Sequence, residues 1–224
     1  MKRVFDIVVS SAGLTVLWPV MLVIAIQVRR KLGAPVLFRQ ARPGLHGEPF
    51  EIVKFRTMRA LLEDDAKAMS DSQRLTDFGR FLRRASLDEL PELWNVLKGD
   101  MSIIGPRPLL MSYLDKYTPG QMRRHEARPG ITGWAQVSGR NAISWEQKFA
   151  CDVWYVDNAS FWLDMRILCK TVSMVARRSG INQPGHATMP EFGREAIQGN
   201  RVQHSLHERG TQGVADTVVS DRAR

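Results

Sequence analysis

The sequence has little cysteine and lacks the signatures of the common nucleotide-binding folds. Its 224 residues include only Cys151 and Cys169, which do not have metal-ligand spacing, so we expect no disulfide framework. No Gly-Lys-Ser/Thr sequence ends a phosphate-binding loop, and no dinucleotide fingerprint follows a strand. A Walker loop and a dinucleotide-binding domain are therefore excluded, which leaves an aspartate-phosphorylating ATPase as a weak hypothesis.

Acidic residues are too few to balance the basic ones. The chain has 32 Lys and Arg against 23 Asp and Glu, a net charge of +9, and all of the excess precedes residue 190. Such a balance implies an anionic partner, either nucleic acid, phospholipid or a phosphorylated substrate. The basic residues alternate with Gly, Pro and paired acids instead of forming a recognition helix, so nucleic acid is not favoured. A basic membrane-anchored module that binds anionic lipid or nucleic acid remains the non-enzymatic alternative.

A long stretch without charge follows the first few residues. Residues 7–28 form an apolar run of about 22 residues, which is long enough to cross a bilayer, and basic residues flank both of its ends. A signal peptide would be shorter and would end in a cleavage site. A single span is the stronger rival, but Pro19 interrupts the run, and the positive-inside rule would mark only one end. We therefore predict a re-entrant helix–break–helix kinked at Trp18-Pro19.

Two short apolar segments after this run predict a β-hairpin. Residues 35–40 and 49–55 read as strands, and residues 41–47 between them are rich in turn formers. Lys54, Arg56 and Arg59 form a basic cluster where the hairpin ends. Residues 58–75 carry many charges and few apolar side chains, which indicates an exposed helix.

The stretch RRASLDELPELW at 83–94 is the strongest candidate for chemistry. Ser86 and Glu89 have capping-box spacing, and Pro91 suits a first helical turn, so a helix should begin here. Asp88 would then lie at the positive end of the helix dipole, which favours its ionised form. An ionised carboxylate beside arginines can act as a nucleophile or a metal ligand. The plain alternative is that these acids only stabilise the helix.

Two later segments could bind phosphate. In GPRP, at 105–108, Arg107 stands between two prolines that stiffen its backbone, which suits a phosphate or carboxylate partner or a structural salt bridge. Residues 128–141 read as a long glycine-rich loop near arginines, a weak indication of a phosphate cradle. Between these segments, residues 109–125 read as a helix with a basic end.

The last periodic segment predicts an amphipathic helix. Residues 158–178 alternate apolar and cationic positions at helical spacing, so the helix could pack on a core or lie in the lipid headgroup plane. The polar tail that follows predicts disorder or loose attachment. We expect an α+β monotopic membrane protein with interfacial amphipathic helices and a small β-hairpin, divided into a membrane helix at 1–31, a catalytic domain at 32–189 and a tail at 190–224.

Several of these motifs together resemble the bacterial sugar transferase family, the monotopic phosphoglycosyl transferases. The matching segments are FRQARPG (38–44), KFRTM (54–58), SLDELP (86–91), NVLKGDMS (95–102), GPRP (105–108) and RPGITGW (128–134). GRNAISW (139–145) and GHAT (185–188) look like the bacillosamine phosphotransferase branch among the small members. The family often has Ser before the kink proline, where this chain has Trp18.

The resemblance implies a reaction and its partners. A UDP-sugar donates a phosphosugar to undecaprenyl phosphate or a similar polyprenol phosphate, and UMP is released. The candidate sugars include diacetylbacillosamine and N-acetylgalactosamine. The acceptor and anionic lipid place the enzyme at the cytoplasmic face of a bacterial inner membrane, and a homodimer is allowed.

The resemblance also implies roles for individual residues. Asp88 is the nucleophile that forms a covalent aspartyl-phosphosugar, and Asp88 with Glu89 holds Mg²⁺. The phosphate-binding cations are Lys54, Arg83, Arg107 and Arg140. Two anions must meet in this reaction, so cations and a divalent metal are needed to lower their repulsion.

Overall fold

The computed structural model describes residues 1–59, 71–139 and 143–177, together with Phe192. Its α-helices are α1 Lys2–Leu32, α2 Asp71–Arg74, α3 Asp77–Arg84, α4 Glu92–Lys98, α5 Pro119–Met122, α6 Trp134–Ser138, α7 Trp145–Asn158 and α8 Phe161–Arg177. Its strands are β1 Leu37–Pro43, β2 Pro49–Phe55, β3 Ser102–Ile104 and β4 Gly130–Thr132. The fold is therefore helix-dominated α+β, as predicted. Arg140, the GHAT segment and, apart from Phe192, the tail at 190–224 lie outside the described residues, and the domain limits stay a prediction.

Among the described helices, α1 alone is long and apolar enough to cross a membrane by length and composition. It is a single helix with Pro19 inside it, so the predicted interruption at Trp18-Pro19 is not found. A straight helix of its 31 residues would be about 46 Å long. Trp18 is exposed, as are many apolar neighbours on this helix. The membrane geometry of α1 thus stays a prediction.

The basic residues at the start of α1 bind the rest of the protein. The Lys2 ammonium donates to the Asp164 carboxylate at 2.6 Å and to the Tyr155 hydroxyl at 2.9 Å, both on the C-terminal helices. The Arg3 guanidinium donates to two carbonyl oxygens in the last turn of α4. Carbonyls in the last turn of a helix lack the usual N–H partner one turn further on, so Arg3 acts as a cap, together with the Gly99 N–H at one of them. Charges that the sequence suggested for membrane orientation are therefore used inside the fold.

A buried carboxylate joins α1 to β3. Asp6 is almost wholly buried, and its Oδ1 accepts hydrogen bonds from the Ser102 hydroxyl and the Ile103 backbone N–H, each at 3.0 Å. A buried carboxylate is tolerated only when such donors replace its hydration. The first turns of α1 are thereby fixed to the strand that leads into Arg107.

The other end of α1 is held by Arg56. Its guanidinium donates to the backbone carbonyls of Leu32, Gly33 and Ala34, just where α1 ends. An apolar cluster lies beside this contact and contains Ile24, Val28, Phe55 and Leu82. Both ends of the apolar helix are therefore bound to the same structural unit.

The predicted hairpin is confirmed. Strands β1 and β2 pair antiparallel, from Leu37 opposite Phe55 to Pro43 opposite Pro49, so the first strand begins and ends later than predicted. The buried Asn95 side chain of α4 joins β2 by accepting from the Val53 N–H at 3.1 Å. Its amide also donates to a β2 carbonyl oxygen at 2.7 Å. These two hydrogen bonds fix the position of α4 along β2, the strand that carries Lys54.

The glycine-rich segment is not the long loop that the sequence predicted. It contains β4, which pairs parallel with β3, and the short helix α6. A Cβ on Gly130 would lie 2.1 Å from the Gly105 nitrogen, and one on Gly133 would lie 2.1 Å from the Gly105 oxygen. Glycine at these positions therefore allows the backbone of this segment to contact the backbone at Gly105. This contact accounts for the glycines without a phosphate-binding role. It also fixes the segment that continues into Arg107.

Three predicted helices have different outcomes. Residues 109–125 are not one helix, because 3₁₀ turns at Met111–Lys116 and Arg123–Glu126 flank the short α5. Thr118 starts α5 with a capping box and Pro119 occupies its first position, which breaks the longer helix. The amphipathic helix is confirmed as α8, with Ile167 buried and Trp162 exposed. Of the predicted exposed helix at 58–75, the described part contains only α2.

His125 is buried beside the hairpin loop. Its Nδ1 donates to the Gly44 carbonyl oxygen at 3.2 Å, and its Nε2 is buried without a hydrogen-bond partner. Burial first, and the positive charge of Arg124 second, lower the pKa of His125 to about 4. The ring is therefore neutral in the folded protein at neutral pH.

We expect Gly105→Ala to lower the free energy of unfolding by about 1–3 kcal/mol, because its Cβ would lie 2.2 Å from the Arg128 carbonyl oxygen. Gly120→Ala is the control, since its Cβ would meet nothing closer than 3.9 Å. Chemical denaturation of both variants measures the difference. Equal stability of the two variants would contradict the close contact.

We also expect stability to fall as pH falls from about 6.5 to about 4, because the unfolded chain takes up a proton at His125 before the folded chain does. The full effect is roughly 3 kcal/mol for a shift of this size. His125→Asn should remove this part of the pH dependence. His46→Asn, at an exposed histidine, should leave it in place, and identical slopes for the two variants would disprove the assignment.

Candidate active site

The segment that carries Asp88 folds as a separate turn between two helices. After α3 ends, Ser86 takes a left-handed conformation with φ 54° and ψ 23°, and a 3₁₀ turn follows at Leu87–Glu89. Ser86 makes no capping hydrogen bond, and α4 begins only at Glu92, so the predicted capping box is wrong. A left-handed conformation costs a non-glycine residue about 1–2 kcal/mol and is often found at functional sites. Asp88 is therefore presented by a strained turn instead of a helix start.

Asp88 is buried yet unpaired. Its side chain is 7% exposed, and within the described part of the chain its carboxylate makes no hydrogen bond or ion pair. Burial first, and the charge of Glu89 second, raise the pKa of Asp88 against the opposing charges of Lys54, Arg83 and Arg107. This differs from the expectation that a helix dipole would favour the ionised form. The carboxylate is poorly solvated, which leaves its oxygens available to an incoming electrophile.

Glu89 is held by two cations. Its Oε1 accepts from the Lys54 ammonium at 2.9 Å and from the Arg107 guanidinium. Burial alone would raise the pKa of Glu89, but the charges of Arg107 and Lys54 outweigh burial and lower it. Glu89 is therefore ionised. In turn its charge raises the pKa of Arg107.

Glu92 completes the cluster, and sequence reasoning missed it. It is 1% exposed, and its Oε1 lies 2.8 Å from the Lys54 nitrogen, although the angle there does not make a hydrogen bond. Burial is the main reason that the pKa of Glu92 is raised to about 7, with Lys54 opposing it and Glu89 adding to it. Its spacing of three residues from Glu89 places both on one helical face and could have identified it.

Arg107 is positioned through its backbone. Its carbonyl oxygen accepts from the Arg124 guanidinium at 2.7 Å, and Arg124 forms a buried ion pair of 2.7 Å with Asp152 on α7. Together with the flanking prolines, this fixes the position from which the Arg107 side chain reaches Glu89. The sequence indicated the prolines but could not indicate a pair separated by 28 residues.

Arg83 is a third cation whose charge acts on Asp88. It lies in the last turn of α3, and its Nε donates to the Thr57 hydroxyl at 3.0 Å. Thr57 in turn lies against Gly79, where any Cβ would be 1.9 Å from the Thr57 carbonyl oxygen. The structure thus brings Lys54, Arg83 and Arg107 together around the acidic pair. Trp18 and Pro19 belong to α1 and are not part of this cluster.

The cluster contains carboxylates that could hold a magnesium ion together with substrate oxygens. No group of three or more metal-binding side chains is found in the described segments of the chain. Mg²⁺ commonly uses only one or two carboxylates, with phosphate and water oxygens as its other ligands. The unpaired Asp88 carboxylate offers such oxygens, and Glu89, the predicted second ligand, uses its Oε1 for Lys54 and Arg107. The residues present are therefore of the right type and number.

Comparison with known proteins gives a consistent result. The family model described as "Bacterial sugar transferase" matches residues 1–178. The chain is 54% identical to the "Uncharacterized sugar transferase EpsL" of Bacillus subtilis, over 86% of this chain and 95% of that protein. It is 44% identical to a "UDP-glucose:undecaprenyl-phosphate glucose-1-phosphate transferase" of Caulobacter vibrioides, over 76% of this chain and 68% of that one.

A third relative is much longer than this chain. The "Undecaprenyl-phosphate galactose phosphotransferase" of Salmonella typhimurium is 41% identical over 80% of this chain but only 41% of its own length. The chain thus spans about two fifths of several curated relatives that it matches, and nearly all of EpsL. The family model and these identities show that the chain belongs to the bacterial sugar transferase family.

Proposed function

We propose that the protein transfers a phosphosugar from a UDP-sugar to undecaprenyl phosphate, or a similar polyprenol phosphate, through a covalent intermediate on Asp88. The observation that supports this most is a buried carboxylate without a partner, next to three cations. A carboxylate that only stabilised a helix would lie in the first turn of that helix, whereas Asp88 lies in a separate 3₁₀ turn and α4 begins at Glu92. Relatives named for undecaprenyl phosphate and for UDP-glucose support the same reaction type.

In the first step, an Asp88 oxygen attacks the phosphorus that carries the sugar. A new bond forms between that oxygen and phosphorus, and the bond from phosphorus to the bridging oxygen of the diphosphate breaks. UMP leaves with the electron pair of the broken bond. Because an ionised carboxylate is required, the cations near Asp88 also serve to keep it charged when substrate is present.

In the second step, an oxygen of the lipid phosphate attacks the same phosphorus. The bond between Asp88 and phosphorus breaks, which regenerates the free carboxylate and yields a lipid diphosphate sugar. No proton needs to be removed from a phosphate dianion, so no separate general base is required. The site therefore needs mainly position and positive charge, as is general for phosphoryl transfer.

The cations lower the repulsion between the reacting anions. We assign Lys54, Arg83 and Arg107 to the phosphates, and Arg140 by resemblance alone. Mg²⁺, held by Asp88 and Glu89, would supply further positive charge at the phosphate oxygens. Lys54 and Arg107 already bind Glu89, so the chain holds them in place before substrate arrives. Such preorganisation means that little reorganisation accompanies the reaction.

The contacts of α1 favour the re-entrant arrangement. Lys2 near its start and the carbonyls at its end both bind elements of the same unit. If the helix left the membrane on the far side, one of these two sets of contacts would be lost. We therefore propose a monotopic protein on the cytoplasmic face of a bacterial inner membrane. There α8 and anionic lipid meet, and the lipid phosphate stays at headgroup depth.

A non-enzymatic lipid-binding module is no longer an alternative, because the family consists of sugar transferases. For the sugar we retain UDP-diacetylbacillosamine and UDP-N-acetylgalactosamine from the sequence resemblance. UDP-glucose and UDP-galactose join them because relatives are named for these sugars. A few pocket contacts decide between such substrates.

Asp88→Asn should reduce Mg²⁺-dependent UMP release by at least about 1,000-fold, because the amide cannot act as the nucleophile. The assay uses undecaprenyl phosphate and a panel of the four UDP-sugars. Asp115→Asn, at an exposed aspartate, is the matched control and should keep full activity. Without acceptor, mass spectrometry should detect a phosphosugar adduct on the wild type but not on Asp88→Asn. Full activity of Asp88→Asn would end the assignment.

A cysteine inserted before Lys2 and another after Lys31 should both react with a membrane-impermeant maleimide in inside-out vesicles only. In these variants Cys151 and Cys169 are first replaced by Ser, so that the inserted thiol is the one measured. Trp18→Cys should stay unreactive until detergent is added. Labelling of either inserted cysteine in intact spheroplasts would show that α1 crosses the membrane.

A further inference from the structure

Arg42 is a partly buried cation that the reaction scheme does not use. It lies in β1 opposite Phe50, and its Nη2 donates to the Gln40 side-chain oxygen at 2.6 Å. Its Nε is buried and has no hydrogen-bond partner. In the described residues, the guanidinium forms no ion pair with a carboxylate. A buried unpaired cation is costly unless something else satisfies it.

Arg42 lies at the edge of the candidate site, because the residue that follows it in β1 lines a small pocket together with Arg107. Burial first, and the charge of Arg107 second, lower the pKa of Arg42, while the charge of Glu92 opposes both. The charges of Arg107 and Glu92 therefore both act on Arg42. The carboxylates there are already used, since Glu89 binds Lys54 and Arg107, and Glu92 lies against Lys54. Arg42 is left with positive charge that these acids do not neutralise.

We propose that Arg42 is a further phosphate-binding residue, which acts beside Arg107 on a phosphate group of one of the two substrates. This inference rests on the proposed function. A guanidinium can bind phosphate through the parallel Nε–H and Nη2–H donors of one edge. In Arg42 the Nε–H has no partner, and Nη2 carries two hydrogens, of which Gln40 accepts one. Both the nucleotide diphosphate and the lipid phosphate offer the same chemistry, so the experiment must distinguish them.

The same strand supplies a matched control. Arg39 is also in β1, but side chains three residues apart on a strand point to opposite faces. Its guanidinium is exposed and pairs with the exposed Glu51 at 2.7 Å. Arg39→Gln therefore removes the same charge from the same strand without touching the site. Any effect of Arg42→Gln beyond it reports on position and not on net charge.

The first measurement compares Arg42→Gln, Arg42→Lys and Arg39→Gln in Mg²⁺-dependent UMP release. A lost charge-assisted hydrogen bond should raise one KM by about 10- to 100-fold in Arg42→Gln. Arg42→Lys keeps the charge without the fork and should show a smaller rise in the same KM. A rise for the UDP-sugar, together with weaker inhibition by UMP, assigns Arg42 to the nucleotide phosphates. A rise for undecaprenyl phosphate alone assigns it to the acceptor.

The second measurement does not depend on turnover. Calorimetry with inorganic pyrophosphate and with UMP compares the same three variants with the wild type. If no UDP-sugar is turned over by the wild type, the proposed function fails, while binding that is weakened in Arg42→Gln but not in Arg39→Gln still supports the anion site.

The proposal is overturned if Arg42→Gln matches Arg39→Gln in both KM values and in anion binding. It is also overturned if Arg42→Gln loses only kcat in parallel with its melting temperature, because that is the result expected of a structural arginine. Melting curves of all three variants separate these cases. Should Arg42→Gln fail to fold, Arg42→Lys decides the matter by the same KM and binding comparison.

Discussion

The ion pairs from Lys54 to Glu89 and Glu92 set the electrostatics on which the site depends. One ammonium group stands between two buried carboxylates, at 2.9 Å and 2.8 Å. Arg107 forms a second ion pair with Glu89, and the neighbouring Asp88 is left without a partner. A carboxylate paired with its own cation would be a poor nucleophile, because the attack would have to break that pair. The arrangement therefore gives both glutamates an ion pair and leaves Asp88, the proposed nucleophile, without one.

The rest of the fold positions these charges. Asn95 fixes α4 against β2, and thus fixes Glu92 relative to Lys54. Arg107 is fixed by two other contacts. Gly105 packs against the backbone of the glycine-rich segment, and Arg124 donates a hydrogen bond to the Arg107 carbonyl oxygen. These are backbone contacts and buried pairs, which allow less movement than exposed side chains would.

The sequence predicted the elements that depend on local chemistry. The hairpin, the apolar N-terminal helix and the amphipathic α8 follow from periodicity and turn residues, and all three are present. The sequence resemblance also brought the right charged residues to attention, and the structure brings Lys54, Arg83, Asp88, Glu89 and Arg107 together. Local rules failed at Ser86, where capping-box spacing predicted a helix start and a left-handed turn is found. The contacts of Asp6 with β3 and of Arg124 with Asp152 join distant segments, and no local pattern encodes such pairs.

The contacts of the first turn of α1 also determine the order in which the protein can be completed. Lys2 and Asp164 are separated by 162 positions along the chain, so the ribosome makes the first long before the second. The apolar helix emerges, and can enter the bilayer, while the partners of its charged end do not yet exist. Under the proposed monotopic topology, Lys2 remains on the side of the membrane where synthesis occurs until α8 has been made. Biogenesis thus favours a segment that is inserted early and joined to its own C-terminal half last.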